Sequence, residues 1–224
     1  MSESNLDVHA PLRDDVRLMG SLLGETLRQQ VGQSLYDKVE LIRVLGKQAR
    51  DGDKQASQQL NQVLSALSDE ELLPVARAFT QFLNLANIAE QYHHVRRHRA
   101  WERLEGSPAQ AGSIRELLPR LLAKDLTPEQ IWQAIQQLDI ELVLTAHPTE
   151  VSRRTLIQKY DNIAECLQAL DYVHLTPIER QHQLDKLKRH IIAAWRTDEI
   201  RRQRPTPVDE AKWGFATIEQ TLWY

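Results

Sequence analysis

Four short stretches repeat one piece of helix-start grammar, and they constrain the fold more than anything else in the chain. "SDEE" at 68–71, "TPEQ" at 127–130, "TPIE" at 176–179 and "TPVD" at 206–209 each put a hydroxyl residue where it can cap a helix and an acid or amide three residues on. The hydroxyl accepts from an orphan backbone N–H, and the longer side chain reaches back to the cap's own N–H. In the last three, Pro stands at the first helical position, where its missing donor costs nothing. Only 8 glycines and 9 prolines interrupt 224 residues, and Leu, Gln, Glu, Arg and Ala, which lose little rotamer freedom in a helix, are abundant. No stretch recurs at a fixed period, so these are separate helices and not a repeat array. The expected class is mainly α.

Apolar spacing fills in the elements. Val16, Met19, Leu22, Leu23, Thr26 and Leu27 mark a first helix, and Leu35, Val39, Ile42 and Leu45 a second. "DGD" at 51–53 breaks the pattern before a short third helix with Leu60, Val63, Leu64 and Leu67. After Ser68, one long stripe runs through Leu72, Val75, Phe79, Phe82, Ala86, Ala89 and Tyr92, with Pro74 expected to bend its start. "RAWERLEGSPAQAGS", 99–113, reads as a surface loop.

One segment departs from helix. In "DIELVLTAHPT", Ile140 to Thr145 is a short β-rich run, and Pro148 keeps His147 out of a helical conformation. A short strand near 140–145 is expected. A strand needs partners for its backbone groups and no second convincing strand occurs, so either the segment is an extended loop or its sheet lies elsewhere.

The overall charge excludes little but tilts the reading. A net charge of −3 and pI near 6.2 give no general argument for nucleic acid or a membrane surface. The single cysteine, Cys166, precludes an internal disulfide and fits a reducing compartment. No apolar signal core or membrane-length run occurs, and a cytoplasmic location is expected.

His147 is the sharpest chemical candidate. It stands where an extended run stops and a helix starts, with Thr149 as a cap and Arg153 and Arg154 in the first turn. A helix N-terminus with arginines suits an anion, and an imidazole beside it could move a proton near neutral pH. The competing reading is a histidine satisfying a backbone group beside solvated arginines. Glu90, His94 and His98 share a helix face at metal-ligand spacing, although a solvated helix end explains them more simply. "KLKRHIIAAWRTDEIRRQRPTPVDEAKWG" interleaves basic residues with Trp195 and Trp213, as a nucleic-acid surface would. Its acids, Asp198, Glu199, Asp209 and Glu210, argue instead for ion pairs, notably of Asp198 and Glu199 with Arg201 and Arg202. Cys166, among Ile163, Leu167 and Leu170, reads as a core thiol. No Gly-rich phosphate loop, Cys-x-x-Cys pair or serine nucleophile elbow occurs.

"VLTAHPTEVSRR", 143–154, resembles the histidine signature of the phosphoenolpyruvate carboxylases without a departure. "DVRLMGSLLGETLRQQ", "LLPVARAFTQFLNLANIAEQYH" and "WRTDEIRRQRPTPVDEAKWG" resemble the same family, of the bacterial type. The resemblance implies a helix-rich enzyme built around an α/β barrel, with Ile140 to Thr145 as its first strand. It implies joining of bicarbonate to phosphoenolpyruvate through carboxyphosphate, giving oxaloacetate and phosphate. His147 would be the catalytic histidine, with Thr145, Thr149, Arg153 and Arg154 as possible supporting or anion-binding groups.

The family's cofactor is Mg²⁺ or Mn²⁺, and its acidic ligands are not expected in this chain. Full-length members form homotetramers, with no nucleic-acid or membrane partner implied. The family's glycine- and acid-rich stretch "GGDRDGNP" does not occur in the 224 residues. The expectation is therefore an N-terminal portion, inactive alone, with a helical region at 1–138 and the start of the barrel region at 139–224. The other class of reading is a free-standing helical interaction module that makes no use of His147.

Overall fold

The computed structural model describes residues 7–103, 112–124, 126–141, 154–172, 174–198 and 206–222. Helix accounts for 83% of them and no strand occurs among them, so the chain is mainly α. It divides into two compact units, Met1–Val95 with Val151–Tyr224, and Arg96–Glu150. No helix among the described residues is long and apolar enough to cross a membrane.

The larger unit is a helical bundle. Helix α1, Ala10–Val31, buries Met19, Leu23 and Leu27, four residues apart and so on one face. Gly32 takes φ 92°, a left-handed conformation that reverses the chain into α2, Gln33–Arg50. The two helices approach closely at Gly24, where a Cβ would lie 3.1 Å from Tyr36 Cε2. Helix α2 buries Val39, Ile42 and Leu45. Gly52, at φ 99°, makes the expected break, and the Asp53 carboxylate then accepts from the N–H groups of Gln55 (2.8 Å) and Ala56 (3.1 Å) to start α3, Lys54–Ser65.

Helix α4, Asp69–Glu102, begins where "SDEE" places it. The Glu71 carboxylate accepts the Ser68 N–H at 3.2 Å and the Lys38 ammonium of α2. Those bonds, Lys38 first, hold the Glu71 carboxyl below its ordinary pKa. The helix continues through Pro74, whose lost donor would have reached Glu70 in the first turn.

The long stripe differs from the expected one. Leu72 is exposed, Phe79 and Phe82 are half-buried, and the core positions are Val75, Ala78, Gln81, Leu85, Ile88, Ala89 and Tyr92. A helix touching neighbours over a wide arc buries more than one row, and a single apolar row therefore misplaces the face. Of the loop expected at 99–113, Arg99–Glu102 instead continue the helix, and 104–111 lie outside the described residues. These residues are helix formers and no breaker precedes Gly106.

Helices α7 (Arg154–Leu170) and α8 (Pro177–Trp195) form an antiparallel hairpin. Leu156, Ile163, Cys166 and Leu167 of α7 and Leu187, Ile191, Ala194 and Trp195 of α8 are buried. Cys166 is a core thiol, as expected, and burial pushes its pKa up. Thr176 and Glu179 make both bonds of a capping box on α8, and Thr206 and Asp209 exchange the same pair of bonds at the start of α9, Pro207–Leu222.

In the smaller unit, Ser113 caps α5 (Ile114–Leu122), and Thr127 with Gln130 forms a capping box on α6 (Pro128–Gln136). Neither helix has a buried residue. Of the expected strand, only Ile140 and Glu141 are described, and both lie outside any ladder; Leu142 to Thr145 fall outside the described residues.

Candidate functional site

The described residues nearest in sequence to the C-terminal end of the histidine motif are those that open α7, at the open end of the α7–α8 hairpin. His147, Thr145, Thr149 and Arg153 lie outside the described residues. Arg154 is the first residue of α7, with only its helical backbone described. The motif thus runs directly into α7, whose first two turns are secured by buried Leu156 and by Lys159.

That end carries an ordered polar cluster. Lys159 donates to the Thr197 hydroxyl, and that hydroxyl donates to the Ala193 carbonyl at 2.7 Å. Arg77 of α4 donates from Nη2 to the Thr197 carbonyl at 2.5 Å, and its guanidinium lies 5.1 Å from the centroid of the Trp195 ring. Both cations therefore stand at the C-terminus of α8, where the unpaired carbonyls leave partial negative charge. Arg196, between Trp195 and Thr197, donates from Nε to Gln30 at 2.9 Å.

The basic stretch is tied into the bundle through Trp195. Trp195 is a core residue, 6% exposed, with Arg77 over its ring, and is not available to stack on a base. The ion pairs expected between Asp198 and Glu199 and the arginines 201 and 202 fall outside the described residues, apart from Asp198, which is exposed. Helical periodicity alone gives Arg77 and Lys159 no role. The available signal was a charged residue, Arg77, set between core positions Val75 and Ala78.

The histidine-rich end of α4 holds no converging ligand set. Glu90 and His94 are exposed, while His98 lies 3.3 Å from Glu102 and stacks on Trp101. The buried histidine of that stretch is His93, which follows Ala89 by one helical turn and has the His9 ring 5.6 Å away. Among the described residues no three His, Cys, Asp or Glu side chains come together as a metal site.

Residues 12–224 match the family described as phosphoenolpyruvate carboxylase. The phosphoenolpyruvate carboxylase of Acinetobacter baumannii is 59% identical over 216 residues, covering 96% of this chain and 24% of that protein. Those of Acinetobacter baylyi and Alcanivorax borkumensis are 57% and 55% identical, covering 96% and 97% of the chain and 24% of each protein. The chain spans about a quarter of the length of the curated relatives it matches.

Proposed function

The chain belongs to the phosphoenolpyruvate carboxylase family, and from that premise we propose that it is the N-terminal, histidine-bearing part of an enzyme that carboxylates phosphoenolpyruvate with bicarbonate. The observation that carries this reading is the unbroken "VLTAHPTEVSRR" inside the matched residues 12–224. In the proposed reaction a bicarbonate oxygen attacks phosphorus, the P–O bond to the enol breaks, and carboxyphosphate and the enolate of pyruvate result. His147 takes the proton from the carboxyl group of carboxyphosphate. The C–O bond to phosphate then breaks, CO₂ and phosphate separate, and the enolate carbon attacks CO₂ to give oxaloacetate.

This role suits an imidazole, which accepts a proton near neutral pH and turns cationic beside a polyanion. Arg153 and Arg154 supply fixed positive charge close in sequence, and Thr145 and Thr149 supply hydroxyl donors. Residues 1–138 would form the helical region and 139–224 the start of the barrel region of the complete enzyme, a cytoplasmic homotetramer. Mg²⁺ or Mn²⁺ would polarise the phosphoryl and enolate oxygens. Among the described residues no cluster of acids or histidines would hold it, and its acidic ligands are expected elsewhere in the full-length protein.

Full-length protein carrying this sequence tests the reading. His147→Asn is expected to abolish oxaloacetate formation in a coupled assay while the circular dichroism spectrum stays unchanged. Wild-type turnover in that variant sinks the assignment of the base. The 224-residue chain by itself is expected to form no oxaloacetate from phosphoenolpyruvate, bicarbonate and Mg²⁺, and product above the no-protein rate would overturn that expectation.

A further inference from the structure

Three helices of the bundle converge on the single turn that ends α8. Arg77 reaches it from α4, Lys159 from α7, and Gln30 of α1 accepts from Arg196 within the turn itself. The Arg77 guanidinium has a carbonyl and an indole face for partners, and its buried Nε has no partner among the described residues.

Cover for Trp195 alone would call only for an apolar side chain, whereas half-buried Arg77 brings a charged fork to the same place. What a guanidinium adds is direction. A planar fork bonded to one carbonyl and stacked on one ring permits a single geometry.

The position of the turn gives that geometry a use. Lys159 follows Arg154 by five residues, about 7.5 Å along the helix axis, and its bond to Thr197 puts the start of α7 and the end of α8 side by side. The chain therefore enters α7 from the "TAHPTEVSR" side and leaves α8 toward "DEIRRQRP" at the same end of the hairpin. Neither stretch is otherwise tied to the other by sequence proximity.

We propose that Arg77 and Lys159 are positioning residues. They lock the Arg196–Thr197 turn against α4 and α7, so that the chain leaves α8 in a fixed relation to the start of α7. The consequence for catalysis rests on the carboxylase reading; the lock itself does not.

Hydrogen exchange on the 224-residue chain reads the lock. The Arg196 and Thr197 amides bond to Ile192 and Ala194 carbonyls, each at 3.0 Å. In Arg77→Met their exchange is expected to rise about tenfold, while Leu187 and Ile191 amides keep wild-type rates; unchanged exchange at 196–197 overturns the proposal whatever the activity. In the full-length protein, the same variant is expected to lose about tenfold or more in kcat, with KM for phosphoenolpyruvate within about twofold, because small misplacements of reacting groups are costly. Arg77→Lys should recover part of the loss, since it keeps the charge without the fork. Lys159→Met repeats both measurements should Arg77→Met fail to fold. A lower melting temperature with wild-type kcat assigns a purely structural role and overturns the proposal. A wild-type full-length protein without carboxylation sinks the proposed function and leaves hydrogen exchange to judge the lock.

Discussion

Helices α7 and α6 look alike as sequences, each with apolar residues recurring on one face, yet α7 buries Leu156, Ile163, Cys166 and Leu167 while α6 buries nothing. The contrast extends to the units around them. The bundle closes over Met19, Leu85, Ile163, Leu187 and Ile191, all at most 2% exposed. In the smaller unit Ile114, Trp132 and Leu138 are 74%, 59% and 66% exposed. An amphipathic pattern states which face of a helix needs cover; it does not state that the same stretch of chain supplies the cover. Caps behave differently, because they are satisfied locally. Thr127 makes its capping box on α6 as fully as Thr176 does on α8.

Substitutions should expose that difference. Leu85→Ala, which opens a cavity at a 1% exposed site, is expected to destabilise the bundle by about 3 kcal/mol. Leu117→Ala, at a 44% exposed site of α5, should change the same denaturation midpoint by less than about 0.5 kcal/mol. Equal shifts would show that α5 is covered after all. Thr176→Ala is expected to cost about 1 kcal/mol in the bundle transition. Thr127→Ala should reduce helicity by circular dichroism without moving that transition, and a shared shift would join the two units thermodynamically.

The smallest effect concerns pH. Glu71 has a depressed pKa from Lys38 and the Ser68 N–H, so its contribution is present above the ordinary carboxylate value of 4.5 and is lost as pH falls through the folded one. The melting-temperature gap between wild type and Glu71→Gln should therefore narrow in acid, and a gap independent of pH would refute the ion pair's part in stability.

Local chemistry was legible in the sequence and long-range geometry was not. The Thr-Pro caps, the "DGD" break and the core thiol Cys166 follow from residues within a few positions of each other. The face of α4, the burial of His93, and Trp195 as a core residue depend on partners some 80 to 120 residues away, as the Tyr92–Asp171 and Arg77–Thr197 bonds illustrate. Helix α5 is not legible in the sequence because its nine residues carry Pro119 in the interior. The role proposed for His147 rests on its motif alone, since nothing in helical periodicity separates a proton acceptor from a histidine that satisfies a neighbour.

Between α4 and α7, Asn84 donates to the Tyr160 hydroxyl at 2.8 Å, and that hydroxyl reaches Gln81, which is 2% exposed, at 3.5 Å. Two oiled rods can slide past one another by a turn and still fit, because leucine accepts leucine at any step of the ladder. A keyed shaft cannot. With the phenol seated between Gln81 and Asn84, a slip of one turn, about 5.4 Å, would strand polar atoms in an apolar seam at a cost of about 1–3 kcal/mol each. The key sets the axial travel of α7 against α4 at one value, and with it the height at which Lys159 and Arg77 meet the end of α8.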